Sequence, residues 1–174
     1  MKTKKTIGWI ALVLLFSLML ITAVIFLIAS SPPNDYQPYQ LTQSERKKAA
    51  VHFVDNHGAV FFNKVGENVP FTHEISENDL NMYLASLDEI AFLKPVRRGK
   101  KDDSGKLLRA MDKAGVSEPA VKMSDGVLTF MVQTKKARKI ISFDLTFDFY
   151  DDNTMRINLQ GIRVGRMPVP EFIL

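Results

Sequence analysis

Three carboxylates around a serine are the residues whose types and spacing best fit catalysis. Glu74, Glu77 and Asp79 flank Ser76. Paired carboxylates act as general acid and base, and they hydrolyse glycosides when they flank the scissile bond. The same residues also fit a helix start, because serine is a good N-cap and acidic side chains favour the positive end of the helix dipole. We expect Ser76 and Asp79 to cap a helix, and an envelope hydrolase is the weaker alternative.

Other catalytic and metal-binding signatures do not occur in the sequence. The chain has no cysteine, which removes disulfides, thiolate metal sites and thiol nucleophiles. P-loop, dinucleotide-binding and nucleophile-elbow motifs do not occur. His52 and His57 lie about 140° apart around a helix, and His73 falls on a predicted strand, so the three histidines are not expected to converge on zinc. We predict a non-catalytic protein without a cofactor or a metal site.

Two basic clusters are candidates for contact with an anionic surface. Their members are Arg97, Arg98, Lys100 and Lys101 in the first, and Lys135, Lys136, Arg138 and Lys139 in the second. A lysine or arginine near an anionic membrane contributes about 1 kcal/mol of binding. The alternative is that both clusters are solvated loops, the first partly neutralised by Asp102 and Asp103.

The segment 139–150 has the most regular amphipathic pattern of the chain. Large apolar residues alternate with polar ones along it, which predicts a strand with one apolar and one solvated face. The candidate apolar-ligand face consists of Phe143, Leu145, Phe147 and Phe149. Such a face either lines a lipid groove or forms an ordinary core beneath helices.

The N-terminal sequence predicts a membrane anchor. No charged residue occurs from Thr6 to Asn34, and the 23 residues of 7–29 would form a helix about 34 Å long, enough to cross a bilayer core. We therefore expect a cytoplasmic tail at 1–6 and a transmembrane helix at 7–29. A cleaved signal peptide is the main alternative, but its apolar run is normally shorter.

The charge distribution predicts the orientation of the chain. Lys2, Lys4 and Lys5 precede the apolar run, so the positive-inside rule places the N-terminus in the cytoplasm and the C-terminal domain outside the cell membrane. Without these lysines, 20 basic residues face 19 acidic ones, and the formal charge of +4 is largely theirs. We expect a membrane partner and no nucleic-acid partner.

The remainder of the chain predicts a short stalk and one α+β domain. Residues 30–40 contain three prolines and read as an extended stalk, and residues 41–174 suffice for one hydrophobic core. Thr42 and Glu45 fit a capping box, so a helix is expected over 43–55. Further helices are expected after Ser76 and over 106–114, and the helices should cover the apolar face of the sheet.

The strands are expected to form a curved antiparallel meander of about four to five strands. Asp125-Gly126 is a strong two-residue hairpin signal, and the slip in apolar phase at Gly161 predicts a bulge. A short strand over 69–75 is expected at a sheet edge because of Pro70.

The segment from Gly161 to Leu174 resembles the terminal motif of the YpmS-like family of small single-pass bacterial membrane proteins. The shared features are a Val-Gly-x-x-x-x-Pro step and an apolar end. Asn81 before Tyr83 and Leu84 also resembles the entry of that family from strand to helix. The resemblance implies no known reaction, and its helix-plus-sheet pattern is similar to lipid-binding envelope domains.

The sequence therefore predicts a membrane-anchored, extracytoplasmic domain that binds lipid or another apolar envelope ligand close to the bilayer. The alternative is an accessory subunit of a membrane complex. In that case Ser17, Thr22 and Ala23 of the anchor would face other helices.

Overall fold

The computed structural model describes residues 2–67, 71–93, 106–151 and 154–170. The helices are α1 (Lys2–Ser30), α2 (Gln43–Phe53), α3 (Val60–Glu67), α4 (Glu77–Ala85), α5 (Leu87–Leu93) and α6 (Lys106–Ala114). The strands are β1 (Val116–Ser124), β2 (Val127–Thr134), β3 (Ile140–Asp151), β4 (Thr154–Val164) and β5 (Met167–Pro168). They form an open antiparallel sheet in the order β1-β2-β3-β4-β5, so the α+β architecture is confirmed.

Helix α1 contains the predicted apolar run but begins earlier than expected. It starts at Lys2, so the predicted tail at 1–6 is helical from its second residue. Its segment Leu12–Ser30 has a mean hydropathy of 3.0, and no residue of that stretch is buried within the chain. Helix α1 is thus long and apolar enough to cross a membrane.

A π-helical turn joins α2 to α3 and corrects the predicted helix end. Thr42 and Glu45 form the expected capping box at the start of α2. The helix does not end near Asn56, because Val54–Ala59 continues it as a π-helix into α3. The wider turn rotates His57 away from the position that α-helical spacing would give it.

The strand predicted over 69–75 is wrong in its described part. Residues 71–76 are irregular backbone and take no part in the sheet. The alternation of Phe71 and His73 with polar neighbours reflects partial burial without a pairing partner. Ser76 then begins α4 with the expected capping box to Asp79.

Helix α4 protects the edge strand β1. The side chain of Asn81 donates from Nδ2 to the Val121 carbonyl (2.9 Å), and its Oδ1 accepts from the Val121 amide (2.8 Å). Four residues earlier, the Glu77 carboxylate accepts from the Met123 amide at 2.7 Å. Positions 77 and 81 lie on one face of the helix, which therefore satisfies the backbone groups that an edge strand leaves unpaired.

Local signals fix the turns of the sheet. Asp125 and Gly126 both have positive φ (52° and 77°), as a type I′ hairpin requires. Asp144 pairs with Gly161, whereas Leu145 pairs with Leu159, which leaves one extra residue on β4. This is the predicted bulge, and it keeps both Leu159 and Ile162 on the apolar face.

Both faces of the sheet carry buried residues, although the alternation predicts one apolar face and one solvated face. A small buried cluster of Ala120, Met131 and Ile140 lies on the same face as Ser142, and Tyr36 packs against it. On the opposite face Val121 and Val132 are buried. In the part of the chain that the structure describes, helices α4 and α6 contact β1, so the expected covering of the apolar face is seen on the β1 side.

Candidate functional site

The apolar face of β3 and β4 is open over most of its length. Strand pairing places Phe143 opposite Ile162, Leu145 opposite Leu159 and Phe147 opposite Ile157. Met155, Ile157 and Leu159 are 50%, 54% and 50% exposed, and the β3 side chains are half-buried. We call this surface the open apolar face, and its members are Phe143, Leu145, Phe147, Met155, Ile157 and Leu159. The predicted member Phe149 follows it in register, but its side chain lies outside the described residues.

The open apolar face belongs to an apolar row whose first pair lies at the end of the sheet that touches α1. In that pair Val164 lies opposite Ile141, and the next residue, Gly165, lies against the backbone of Ala29. From Ile141 to Phe147 the strand rises about 20 Å. Ile157, which pairs with Phe147, therefore lies about 20 Å along the sheet from the end that contacts α1.

The segment predicted as an extended stalk is packed on the sheet instead. Pro33 is buried, and the Tyr36 hydroxyl donates to the Glu118 carbonyl at 2.8 Å. Glu118 has a positive φ of 48° at a bulge of β1, where its carbonyl is not used by the ladder. Burial and the nearby Glu118 carboxylate raise the pKa of the Tyr36 phenol above its ordinary range. The segment is thus held on the sheet by Tyr36, which packs on the buried cluster and bonds the irregular part of β1.

The last turn of α1 is bonded directly to the domain. The Arg166 amide donates to the Ile28 carbonyl (3.2 Å), and its guanidinium Nε donates to the Pro32 carbonyl (3.0 Å). A Cβ at Gly165 would lie only 2.5 Å from the Ala29 carbonyl oxygen. We call these contacts, together with those of 31–36, the junction. They hold α1 and the sheet in a fixed relation.

The second basic cluster lies at the junction. Lys139 Nζ donates to Ser30 Oγ and lies 4.6 Å from the centre of the Phe26 ring. Lys135 is paired with Asp112, whereas Lys136 and Arg138 are exposed at the turn. The first basic cluster, Arg97, Arg98, Lys100 and Lys101, lies outside the described residues.

The carboxylates near Ser76 have structural partners. Asp79 accepts hydrogen bonds from the Ser76 amide and hydroxyl, which together with nearby histidines lower the pKa of its carboxyl group. Glu77 bonds the β1 edge through the Met123 amide, and Glu74 is exposed. The predicted capping role of Asp79 is confirmed.

A pair of histidines meets where the sequence predicted no convergence. His57 Nδ1 lies 3.0 Å from His73 Nε2, and His57 Nε2 lies 3.6 Å from an Asp79 carboxylate oxygen. The π-helical turn and the irregular loop bring the rings together, and neither feature has a sequence signal that spacing alone reveals. One of the two histidine nitrogens 3.0 Å apart must donate and the other accept, whereas the Asp79 oxygen lies beyond hydrogen-bonding distance of His57. In the described part of the chain, no three metal-ligating side chains are placed to hold an ion.

A polar cleft lies beside β1. It has a volume of about 340 Å³ and includes Arg46, Asp88, Asp112 and Lys135 in its lining. Arg46 is paired with Asp88 at 2.7 Å, and Lys135 is paired with Asp112. Because these charges neutralise one another, the cleft is a weaker candidate for ligand binding than the open apolar face.

Comparisons with protein families, with curated proteins and with solved structures return no match to this chain. The resemblance to the YpmS-like family therefore stays a prediction, and the functional argument depends on the geometry of the chain itself.

Proposed function

We propose that this protein is a non-catalytic, single-pass membrane protein whose extracytoplasmic domain binds a lipid or another apolar ligand beside the bilayer. The observation that carries the proposal is the open apolar face. Exposed apolar surface of this extent on a small domain is typical of ligand or membrane contact. Burying a leucine or isoleucine side chain contributes about 1.5–3 kcal/mol, so three half-exposed residues in one row leave a substantial driving force for binding.

The position of the face supports a ligand drawn from the membrane. The apolar row that contains the face begins at Val164, beside Gly165, which contacts the end of α1, and continues along β3 and β4 to the exposed residues. An acyl chain leaving the bilayer would meet apolar side chains at each step. The Asp144 and Arg163 ion pair, with an oxygen-to-nitrogen distance of 2.8 Å, belongs to the other face.

Photo-crosslinking tests this proposal on the full chain. A diazirine analogue of palmitate is added to membranes that contain the protein, and modified peptides are identified by mass spectrometry. We expect crosslinks in β3 and β4 as well as in α1, which serves as an internal reference because it contacts lipid in every variant. In the double variant Ile157→Asn/Leu159→Asn we expect the β3–β4 crosslinks to fall about tenfold relative to those in α1.

The control for this experiment lies on the other face of the same strand. Asn158 hydrogen-bonds Asp148 at 2.7 Å and points away from the open apolar face. Asn158→Ser should leave the crosslinks of β3 and β4 unchanged. Crosslinks confined to α1 in the wild-type chain would refute ligand binding by the sheet.

The alternative function, an accessory subunit of a membrane complex, has one observation in its favour. One face of α1 carries a shallow apolar groove, which is lined by Leu15, Leu18, Met19, Thr22, Ala23 and Phe26. The hydroxyl of Thr22 donates to the Leu18 carbonyl at 2.8 Å, so the groove is free of unsatisfied polar groups. Crosslinking in intact membranes would yield a heterologous partner through α1 if this alternative holds. Recovery of the chain alone would exclude it.

A further inference from the structure

The turn between β2 and β3 reaches the level of the last turn of α1. Lys139 lies over the ring of Phe26, four residues before the end of the helix. At 1.5 Å per residue, Phe26 is about 6 Å below Ser30 along the helix axis. If the apolar part of α1 crosses the bilayer, this turn lies at the headgroup region.

Two side chains of the same turn have no partner in the described part of the chain. Lys136 and Arg138 are exposed and make no side-chain hydrogen bond or ion pair there. Arg138 has a positive φ of 50° and its amide bonds the Thr134 carbonyl, so the backbone of the turn is held in one conformation. The nearest charge pair is that of Lys135 with Asp112, which leaves the tip of the turn basic.

We propose that Lys136 and Arg138 bind the phosphate of an anionic phospholipid in the leaflet where α1 ends. Arginine binds phosphate through paired N–H groups, and lysine adds a point charge. The contact of Lys139 with the Phe26 ring holds the turn at the level of the last turn of α1. The bond from Arg166 to the Pro32 carbonyl also ties the sheet to the segment that follows α1. The inference depends on the membrane anchor of the proposed function and adds a lipid class.

The bound headgroup would give the domain a fixed orientation. The junction already fixes the sheet to α1, and a headgroup bound at the turn would fix the depth and tilt of this unit relative to the bilayer surface.

The test measures which phospholipids remain bound to the full chain. The protein is purified in mild detergent from membranes that contain phosphatidylglycerol and phosphatidylcholine, and bound lipids are quantified by mass spectrometry. We expect the wild type to retain phosphatidylglycerol selectively. In Lys136→Gln/Arg138→Gln the ratio of bound phosphatidylglycerol to bound phosphatidylcholine should fall by about fivefold for each charge removed.

The control removes two charges far from the junction. Lys64 pairs with Glu67 on α3, and Arg156 stacks on Tyr150 near the opposite end of β4. Lys64→Gln/Arg156→Gln should retain phosphatidylglycerol like the wild type. An equal ratio in both double variants would overturn the proposal.

A depth measurement provides the second readout. Because the chain has no cysteine, Ala137→Cys gives a single site for a nitroxide label at the tip of the turn, and Ser124→Cys gives one at the far hairpin. In phosphatidylglycerol nanodiscs the label at 137 should be more accessible to oxygen and less accessible to a water-soluble nickel reagent than the label at 124. Equal accessibility of the labels at 137 and 124 would overturn the proposal. Tighter binding of soluble polyphosphate than of phosphatidylglycerol would also overturn it, because the ligand would then be a polymer. Palmitate crosslinks in β3 and β4 are scored separately, so the proposed function can survive either result.

Discussion

At the junction, a residue without a side chain lets the sheet approach the backbone of α1, whereas on the open apolar face three large apolar side chains of β4 remain about half-exposed. Gly165 approaches the backbone of Ala29, and Ala120 is buried beneath Tyr36. Ile157 and Leu159 are more apolar than any of these, yet they contact solvent over about half of their surface. Hydrophobicity therefore does not identify the tightly packed region of this domain.

The difference between the two regions has a physical reason. Close packing depends on shape, and a glycine or alanine lets two backbones approach where a larger residue would hold them apart. Exposed leucine and isoleucine gain their stabilisation only when something covers them. The junction is consequently a region that folding completes, whereas the open apolar face stays uncovered and is available to the ligand that we propose.

The largest effect is expected from Gly165→Ala. The new Cβ would lie 2.5 Å from the Ala29 oxygen and 2.7 Å from the Ser31 oxygen, and φ at this position is +59°. Backbone strain and the steric clash together should lower the free energy of unfolding by about 3 kcal/mol. Thermal unfolding of the full chain in detergent, followed by circular dichroism, measures the change.

Gly126→Ala is the matched control for Gly165→Ala. Gly126 also has a positive φ (+77°), but a Cβ there meets no atom within 4 Å. Gly126→Ala should lower the free energy of unfolding by about 1 kcal/mol, because only the strain of a positive φ opposes the new side chain. Equal losses for the two variants would mean that the approach of α1 to the sheet does not contribute to stability.

A smaller effect is expected from Tyr36→Phe. The substitution removes the hydrogen bond to the Glu118 carbonyl and should cost about 1 kcal/mol. Tyr39→Phe is the control, because its hydroxyl bonds Asn78 at the surface. Chemical denaturation of both variants measures the difference, and a loss at Tyr39 as large as that at Tyr36 would contradict it.

The contribution of Tyr36 should depend on alkaline pH. Burial raises the pKa of the folded phenol above the unfolded value of 10.0, so the folded state favours the protonated form. This stabilisation is complete below pH 10 and is lost as the pH rises above it, because the unfolded chain releases its proton first. Wild-type stability should therefore fall toward that of Tyr36→Phe above pH 10. A constant difference between the two across that range would show that the phenol is not buried.

The local features of the fold were predictable from the sequence. The capping boxes at Thr42 and Ser76, the hairpin at Asp125-Gly126 and the bulge at Gly161 each depend on a few neighbouring residues. The alternation along β3 also predicted that Phe143, Leu145 and Phe147 share one face, whereas the exposed members on β4 were not part of that prediction. Nearby residues impose these features by sterics and hydrogen bonding, so a short window of sequence contains the information.

The contacts between distant segments were not predictable in this way. The Tyr36 hydroxyl meets a carbonyl 82 residues away, and the proline-rich segment around it has no periodicity. The pairing of His57 with His73 requires a π-helical turn that spacing arguments exclude. Alternation predicted an apolar face but not whether helices would cover it, because coverage depends on where α4 and α6 pack, and they contact β1.

The smallest effect on stability is expected on the open apolar face itself. Ile157→Gln replaces a side chain that is 54% exposed, so the free energy of unfolding should change by no more than about 0.5 kcal/mol. The same change at Ile140, which is 3% exposed beside Met131 and Ala120, places an amide in a closed cluster and should unfold a large fraction of the chain. Palmitate crosslinking of β3 and β4 should nevertheless fall in the folded Ile157→Gln variant, since in the proposed function this side chain contacts the ligand, and it contributes little to folding. A loss of stability at Ile157 comparable to that at Ile140 would show that this face is part of the core, and the contrast between the two regions would no longer hold.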